Sequence, residues 1–142
     1  MDIEYAINRI VSVVDFLALL NASRLAERRP VDDYDCLRGM LENSNLCVSA
    51  WHGDNLVGIA RCMTDFHYAC YLSDLAVDQD WQRRGIGREL LTLTQEQLGP
   101  KCKLILIAAP DADAYYPQLG FSNNPRCWVL PRNEKPAPHR SE

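Results

Sequence analysis

The sequence contains no CxxC pair. Its six cysteines, Cys36, Cys47, Cys62, Cys70, Cys102 and Cys127, are scattered, so neither a disulfide framework nor a zinc ribbon has the close ligand pairs it needs. The histidines, His52, His67 and His139, do not supply them, and no metal is expected. Free, reduced thiols are the expected state. An excess of positive charge is also lacking. The formal net charge is −4, which opposes general nucleic-acid binding, because phosphate neutralisation draws on surplus Lys and Arg. Nor is there an apolar run long enough to span a bilayer: "VSVVDFLALL" is short and broken by Asp15. The N-terminal "MDIEYAINRI" lacks the cationic segment and following apolar stretch of a secretory signal. The protein is expected in the cytoplasm and off membranes.

What is present fits one globular domain. A chain of 142 residues is long enough to bury about two thirds of its surface without cross-links. Residues 1–130 read as that domain. The ending "PRNEKPAPHRSE" sets prolines among charges and reads as a flexible tail over residues 131–142.

Periodicity gives the order of elements. "IEYAI" alternates as a short strand, and "VSVVDFLALLNASRLAE" and "DYDCLRGMLENS" recur at helical spacing. "LCVSAW" and "LVGIARCM" flank "HGDN", the composition of a hairpin. "YACYLSDLAV" reads as a central strand, "GIGRELLTLTQEQLG" as a helix and "KLILIAA" as a buried strand. "DADAYYPQLGF" follows as a short helix and "CWVL" as a last edge strand. The predicted class is α/β, a mixed central sheet flanked by helices, in the order β-α-α-β-β-β-α-β-α-β.

The segment "DQDWQRRGIGREL" crowds Arg83, Arg84 and Arg88 around Gly85 and Gly87, between a strand and a helix. A helix start leaves backbone N–H groups unpaired and carries roughly half a positive charge, so it attracts phosphate where the chain can approach closely. The glycines allow that approach. The Rossmann fingerprint is excluded, since its third glycine would fall at Leu90, and GxxxxGK[ST] is absent.

Two segments together resemble a known family. "LAVDQDWQRRGIGRELL" is similar to motif A of the GNAT N-acetyltransferases, with Q/R-x-x-G-x-G/A falling on Gln82, Arg83, Arg84, Gly85, Ile86 and Gly87. Downstream, "YYPQLGF" from Tyr115 to Phe121 resembles the family's FYxxLGF segment. The resemblance covers the predicted element order and implies the GNAT acyltransferase fold. It also implies that the anion is the pyrophosphate of coenzyme A, with acetyl-CoA as cosubstrate and no metal. The cofactor would then be held by Leu75, Ala76 and Val77 beside the pantetheine arm and by Gln82 through Arg88. A backbone N–H, that of Leu75, would polarise the thioester carbonyl. Tyr116 aligns with the tyrosine that serves as general acid toward the sulfur, and Tyr115 stands where the family has Phe.

Asp74 is the only carboxylate in its strand and is the candidate catalytic group, drawing the amine proton through water or orienting the acceptor, with a buried structural hydrogen-bonding role as the alternative. Alternation puts it on the face opposite Leu75 unless a bulge intervenes. Arg28 and Arg29 either bind an acidic group on the acceptor or are a solvated pair. The expected function is direct acetyl transfer to an amine of a small molecule or peptide, with no nucleic acid or membrane as partner and a homodimer left open. A coenzyme-binding sensor without turnover and a protein N-acetyltransferase are the alternatives.

Overall fold

Two side-chain caps start the first two helices in the computed structural model, which describes residues 2–138. After β1 (Glu4–Ile7), the Ser12 hydroxyl accepts from the Asp15 N–H at 3.1 Å and opens α1 (Val13–Ala22). Val13, Phe16, Leu19 and Leu20 recur at helical spacing and are buried. Asp33 accepts from the Cys36 N–H at 3.0 Å and opens α2 (Tyr34–Asn43). Such caps satisfy N–H groups that the helix itself cannot.

The first helix is shorter than the periodicity predicts. Ser23 donates its hydroxyl to the Leu20 carbonyl and accepts from the Leu25 N–H, and Arg24 turns to a left-handed φ of 71°. A hydroxyl that bonds the nearby backbone competes with the helical ladder. The chain continues as a single 3₁₀ turn, Leu25–Arg28.

Among the described residues the sheet has five strands in sequential order. β2 (Leu46–His52), β3 (Asn55–Thr64) and β4 (Ala69–Val77) continue the antiparallel run from β1. α3 (Ile86–Glu96) then crosses over to β5 (Lys103–Ile105), which pairs with β4 in parallel. α1 and α2 cover one face, where Phe16, Leu20, Leu37 and Ile59 form a buried cluster. α3 lies on the other: an added Cβ on Gly58 would sit 3.1 Å from Leu90 Cδ1 and 3.2 Å from Ile86 Cγ2. Gly58 therefore sets how closely the helix approaches. Among the described residues no helix is long and apolar enough to cross a membrane.

The chain divides into two compact units, one ending at Ala109 and one beginning at Pro110. Two strand expectations need correction. "KLILIAA" forms a strand only over Lys103–Ile105, because pairing with β4 stops at Tyr71–Ile105. Ile107 beyond it is 54% exposed. In the second unit, described by itself, a 3₁₀ turn at Pro110–Ala112 leads to α4 (Tyr115–Gln118). "CWVL" is not a strand: Cys127 closes a turn onto the Asn124 carbonyl, and Trp128 is 87% exposed. A short apolar run without a partner strand does not make one. The final strand of the predicted order is thus missing among the described residues, while the α/β class and mixed sheet hold. Residues 131–138 are exposed and carry no helix or strand. The rest of the predicted tail, 139–142, lies outside the described residues.

The β3–β4 connection is organised by Asp65. Its carboxylate accepts from the N–H groups of His67, Tyr68 and Ala69 at 3.0, 2.8 and 3.1 Å. These bonds, that of Tyr68 foremost, hold its carboxyl down at about 2. A depressed carboxylate stabilises the fold above its unfolded value, and that contribution is lost as pH falls through the folded value. Asp65→Asn should therefore lower the urea midpoint at neutral pH, and the gap from wild type should close between pH 3.8 and about 2. A gap that persists unchanged at pH 2 would refute this.

Candidate functional site

The loop after β4 is built by its own residues. Asp78 accepts from the Asp80 N–H at 2.9 Å and starts a 3₁₀ turn, Gln79–Trp81. Arg83 and Gly85 both take left-handed φ values, 64° and 82°, a conformation in which glycine has no steric cost. Gln82 Nε2 donates to the Val77 carbonyl at 3.0 Å and ties the loop to the strand end. Arg84 donates to the Asp80 carbonyl and stacks over Trp81, whose other neighbour is the His52 ring. Arg84 is thus partly used inside the loop. Arg83 and Arg88 are exposed and form no ion pair among the described residues.

α3 begins differently from α1 and α2. Its N-cap is Gly85 and no side chain caps it. The Glu89 N–H bonds the Gly85 carbonyl, so the preceding N–H groups, at Ile86, Gly87 and Arg88, have no intrahelical acceptor. Gly87 lies inside the helix and, unlike Gly85, is not at positive φ.

β4 supplies a free edge next to this helix start. Its pairing with β5 covers Ala69, Cys70 and Tyr71 only. From Leu72 to Val77 no strand among the described residues pairs on the side away from β3. The Asp78 N–H bonds the Val57 carbonyl at 2.9 Å, which fixes the alternation of the antiparallel ladder. With Ile59 opposite Ala76 and Ala60 opposite Leu75, Ala76 turns its N–H and C=O to β3, and Leu75 turns both to the open edge.

The register shifts between Arg61 and Cys62: Arg61 faces Asp74 and Cys62 faces Leu72. Ser73 is the extra residue of a bulge. Asp74 points to the face of α1 and α2 and is buried between two arginines. Its Oδ1 accepts from Arg29 Nε at 2.6 Å and its Oδ2 from Arg61 Nε at 2.5 Å. Arg61 also donates to the Met40 carbonyl of α2 and the Ser73 hydroxyl, and Arg29 donates to the Ser73 carbonyl.

The structure therefore brings Leu75–Val77 and Gln82–Arg88 together at one end of β4 and places Asp74 in a buried ion triad. Each of its oxygens accepts from one guanidinium. The sequence reading missed Arg61 and gave no partner to Asp74. The available signal was one charged residue in the middle of each of two consecutive apolar strands.

Tyr116 belongs to the second unit. Within it, its ring makes edge contacts with Tyr115 and Phe121, each at 5.4 Å, and its carbonyl accepts from the Phe121 N–H. All six cysteines are free thiols. Burial pushes the Cys47 thiol up to about 11, and the hydrogen bond with Cys70 together with burial pushes Cys62 far up. Cys70, stabilised by that same bond, moves down. Cys36 and Cys127 are exposed. Among the described residues no group of His, Cys, Asp and Glu is arranged to hold a metal.

A family model described as an acetyltransferase (GNAT) domain matches residues 22–126. An uncharacterised N-acetyltransferase, ycf52-like, of Prochlorococcus marinus is 28% identical over 128 residues, covering 82% of this chain and 69% of the relative. Two ycf52 relatives, of Pyropia yezoensis and Gracilaria tenuistipitata, are longer, and the match spans 52% and 50% of their length. Among solved structures, a GNAT-family acetyltransferase from Streptococcus pneumoniae superposes with a TM-score of 0.67 at 22% identity, over 91% of this chain and 98% of that one. An aminoglycoside N-acetyltransferase in complex with CoA gives 0.70 at 14% identity, over 93% and 95%. At such identities the likeness is one of fold.

Asp74→Asn keeps the shape of the side chain but leaves two guanidinium groups without a counter-charge. Breaking a buried pair in this way costs about 3–5 kcal/mol. The urea midpoint should fall accordingly, and an unchanged midpoint would show that the triad is not what holds the bulge.

Proposed function

The chain belongs to the GNAT acetyltransferase family, an acyltransferase family, and from that premise we propose that it moves an acetyl group from acetyl-CoA directly to an amine of a small molecule or peptide. The observation that carries this is the uncapped start of α3 beside the free edge of β4. The family match runs from 22 to 126 and so across the boundary at Pro110, which supports reading both units as parts of one acetyltransferase domain.

In this reading the pyrophosphate is held by the N–H groups of Ile86, Gly87 and Arg88, with Arg83 and Arg88 adding charge at the helix start. Arg84 and Gln82 shape the loop that presents them. The pantetheine arm pairs along Leu75, Ala76 and Val77 as an added strand would. Leu75 turns its N–H toward the thioester, and a fixed donor there stabilises the oxyanion that forms as the amine attacks. Holding both reactants at one edge converts the encounter into an intramolecular step.

The attacking nitrogen must lose a proton and the departing sulfur must be balanced. Asp74, held by two arginines, is not free to accept that proton. Water at the edge takes it, or the amine arrives neutral. Tyr116, aligned with the tyrosine of "FYxxLGF", gives its phenolic proton to the sulfur. No cysteine is required as an acyl carrier, and the raised thiols of Cys47 and Cys62 are poor nucleophiles.

Thiol release from acetyl-CoA across a panel of amines tests the reading, and binding of acetyl-CoA without turnover on any amine would favour the sensor alternative. Gly87→Val fills the first turn of α3 and should weaken acetyl-CoA binding at least tenfold by calorimetry; unchanged affinity in the folded variant would remove the site. Tyr116→Phe should lower the chemical rate on the order of 10²-fold with affinity kept. Tyr115→Phe is the control and should stay near wild type. Full activity of Tyr116→Phe would end its role as acid.

A further inference from the structure

Arg29 comes from the connection between α1 and α2 and lies against the bulge of β4. Its Nε donates to Asp74, one terminal nitrogen to the Arg28 carbonyl and the other to the Ser73 carbonyl. A guanidinium has five N–H groups. One hydrogen on each terminal nitrogen is left without a partner among the described residues, on a side chain that is 20% exposed. Ser73 is two residues before Leu75, so this guanidinium stands next to the edge where the reactive carbonyl is assigned.

The surrounding charge is unbalanced. Two guanidinium groups share one carboxylate, and the triad carries a net positive charge in a largely buried setting, where charge acts with little screening. The acids on the same connection do not offset it. Glu27 lies 3.7 Å from Arg24, Asp33 caps α2, and no ion pair among the described residues joins Glu27, Asp32 or Asp33 to Arg29. On the same face Met63, Tyr71 and Ile105 stand in register across β3, β4 and β5, each 37–38% exposed. That row is uncharged and offers no counter-ion for a second cation.

We propose that Arg29 selects the acceptor, accepting an amine that carries a carboxylate and refusing one that carries a second ammonium. The proposal rests on the acetyltransferase reading and deepens it to a substrate class, the aminocarboxylates. The free N–H groups of Arg29 hold the carboxylate, which also balances the triad's surplus positive charge.

The probes are linear aminocarboxylates, alkylamines and diamines of matched carbon skeleton, assayed by thiol release at saturating acetyl-CoA. The wild-type protein should show kcat/KM about tenfold or more higher for the aminocarboxylate than for the diamine. Arg29→Gln should bring that ratio close to one, Arg29→Lys should keep most of it, and Arg28→Gln, at an exposed neighbour, should leave it unchanged. A wild-type ratio of one or below overturns the proposal, even if Arg29→Gln fails to fold. If no amine releases thiol, the catalytic reading falls, and calorimetry on the wild-type protein loaded with coenzyme A decides the selection separately. Tighter binding of the aminocarboxylate supports it; equal binding, tighter diamine binding or no binding of any probe overturns it.

Discussion

One carboxylate between two guanidinium groups joins four parts of the first unit. Asp74 is on β4, Arg61 on β3 and Arg29 on the α1–α2 connection, and Arg61 reaches the Met40 carbonyl of α2. Burying three charges is expensive, and a well-packed apolar trio would give comparable or greater stability. What the triad adds is position. Its hydrogen bonds reach the bulge and the Met40 carbonyl of α2, and Ser73 is held through both its hydroxyl and its carbonyl.

The bulge separates two tasks along one strand. Before it, β4 is an interior strand that pairs with β3 and β5; after it, β4 pairs with β3 alone among the described strands. An extra residue raises the local twist and bends the strand, which suits a parting from β5 at this point. Side chains then divide by face and backbone groups by edge. Asp74 goes to the helical face with the arginines, while the Leu75 N–H and C=O go to the open edge. A continuous ladder would have left no free donors there.

Local features were readable from the sequence and distant ones were not. The loop from Asp78 to Arg88 and the start of α3 are decided by residues within a few positions of one another, and "DQDWQRRGIGREL" shows them directly. β3 and β4 were legible because their apolar runs are long. Asp74 could be seen as an odd charge, but its partner Arg29 is 45 residues away, and nothing in "AERRPVDDY" separates Arg29 from the exposed Arg28. Arg61 sits inside an apolar strand and resembles an edge residue until its register with Asp74 is known. "KLILIAA" and "CWVL" have strand composition, yet pairing decides strands, and a composition does not contain its partner. The early end of α1 turned on Ser23, a residue equally at home one turn further along a helix.

Positive charge enters the first unit in two forms with different physical behaviour. Arg83 and Arg88 are exposed at the helix start, where salt screens them within a Debye length of about 10 Å at 0.1 M. They suit a highly charged, mobile coenzyme, whose phosphates bring their own field and need attraction more than exact placement. Arg61 is buried and Arg29 is partly buried; both are fixed by oriented acceptors and less screened than a fully exposed charge. Such a pair contributes little to long-range capture. It acts on what comes within contact distance, where one misplaced cation meets a field that side-chain motion cannot relax. In the proposed reading, capture by the loop after β4 and discrimination at the bulge within β4 are therefore separate tasks that share no side chain.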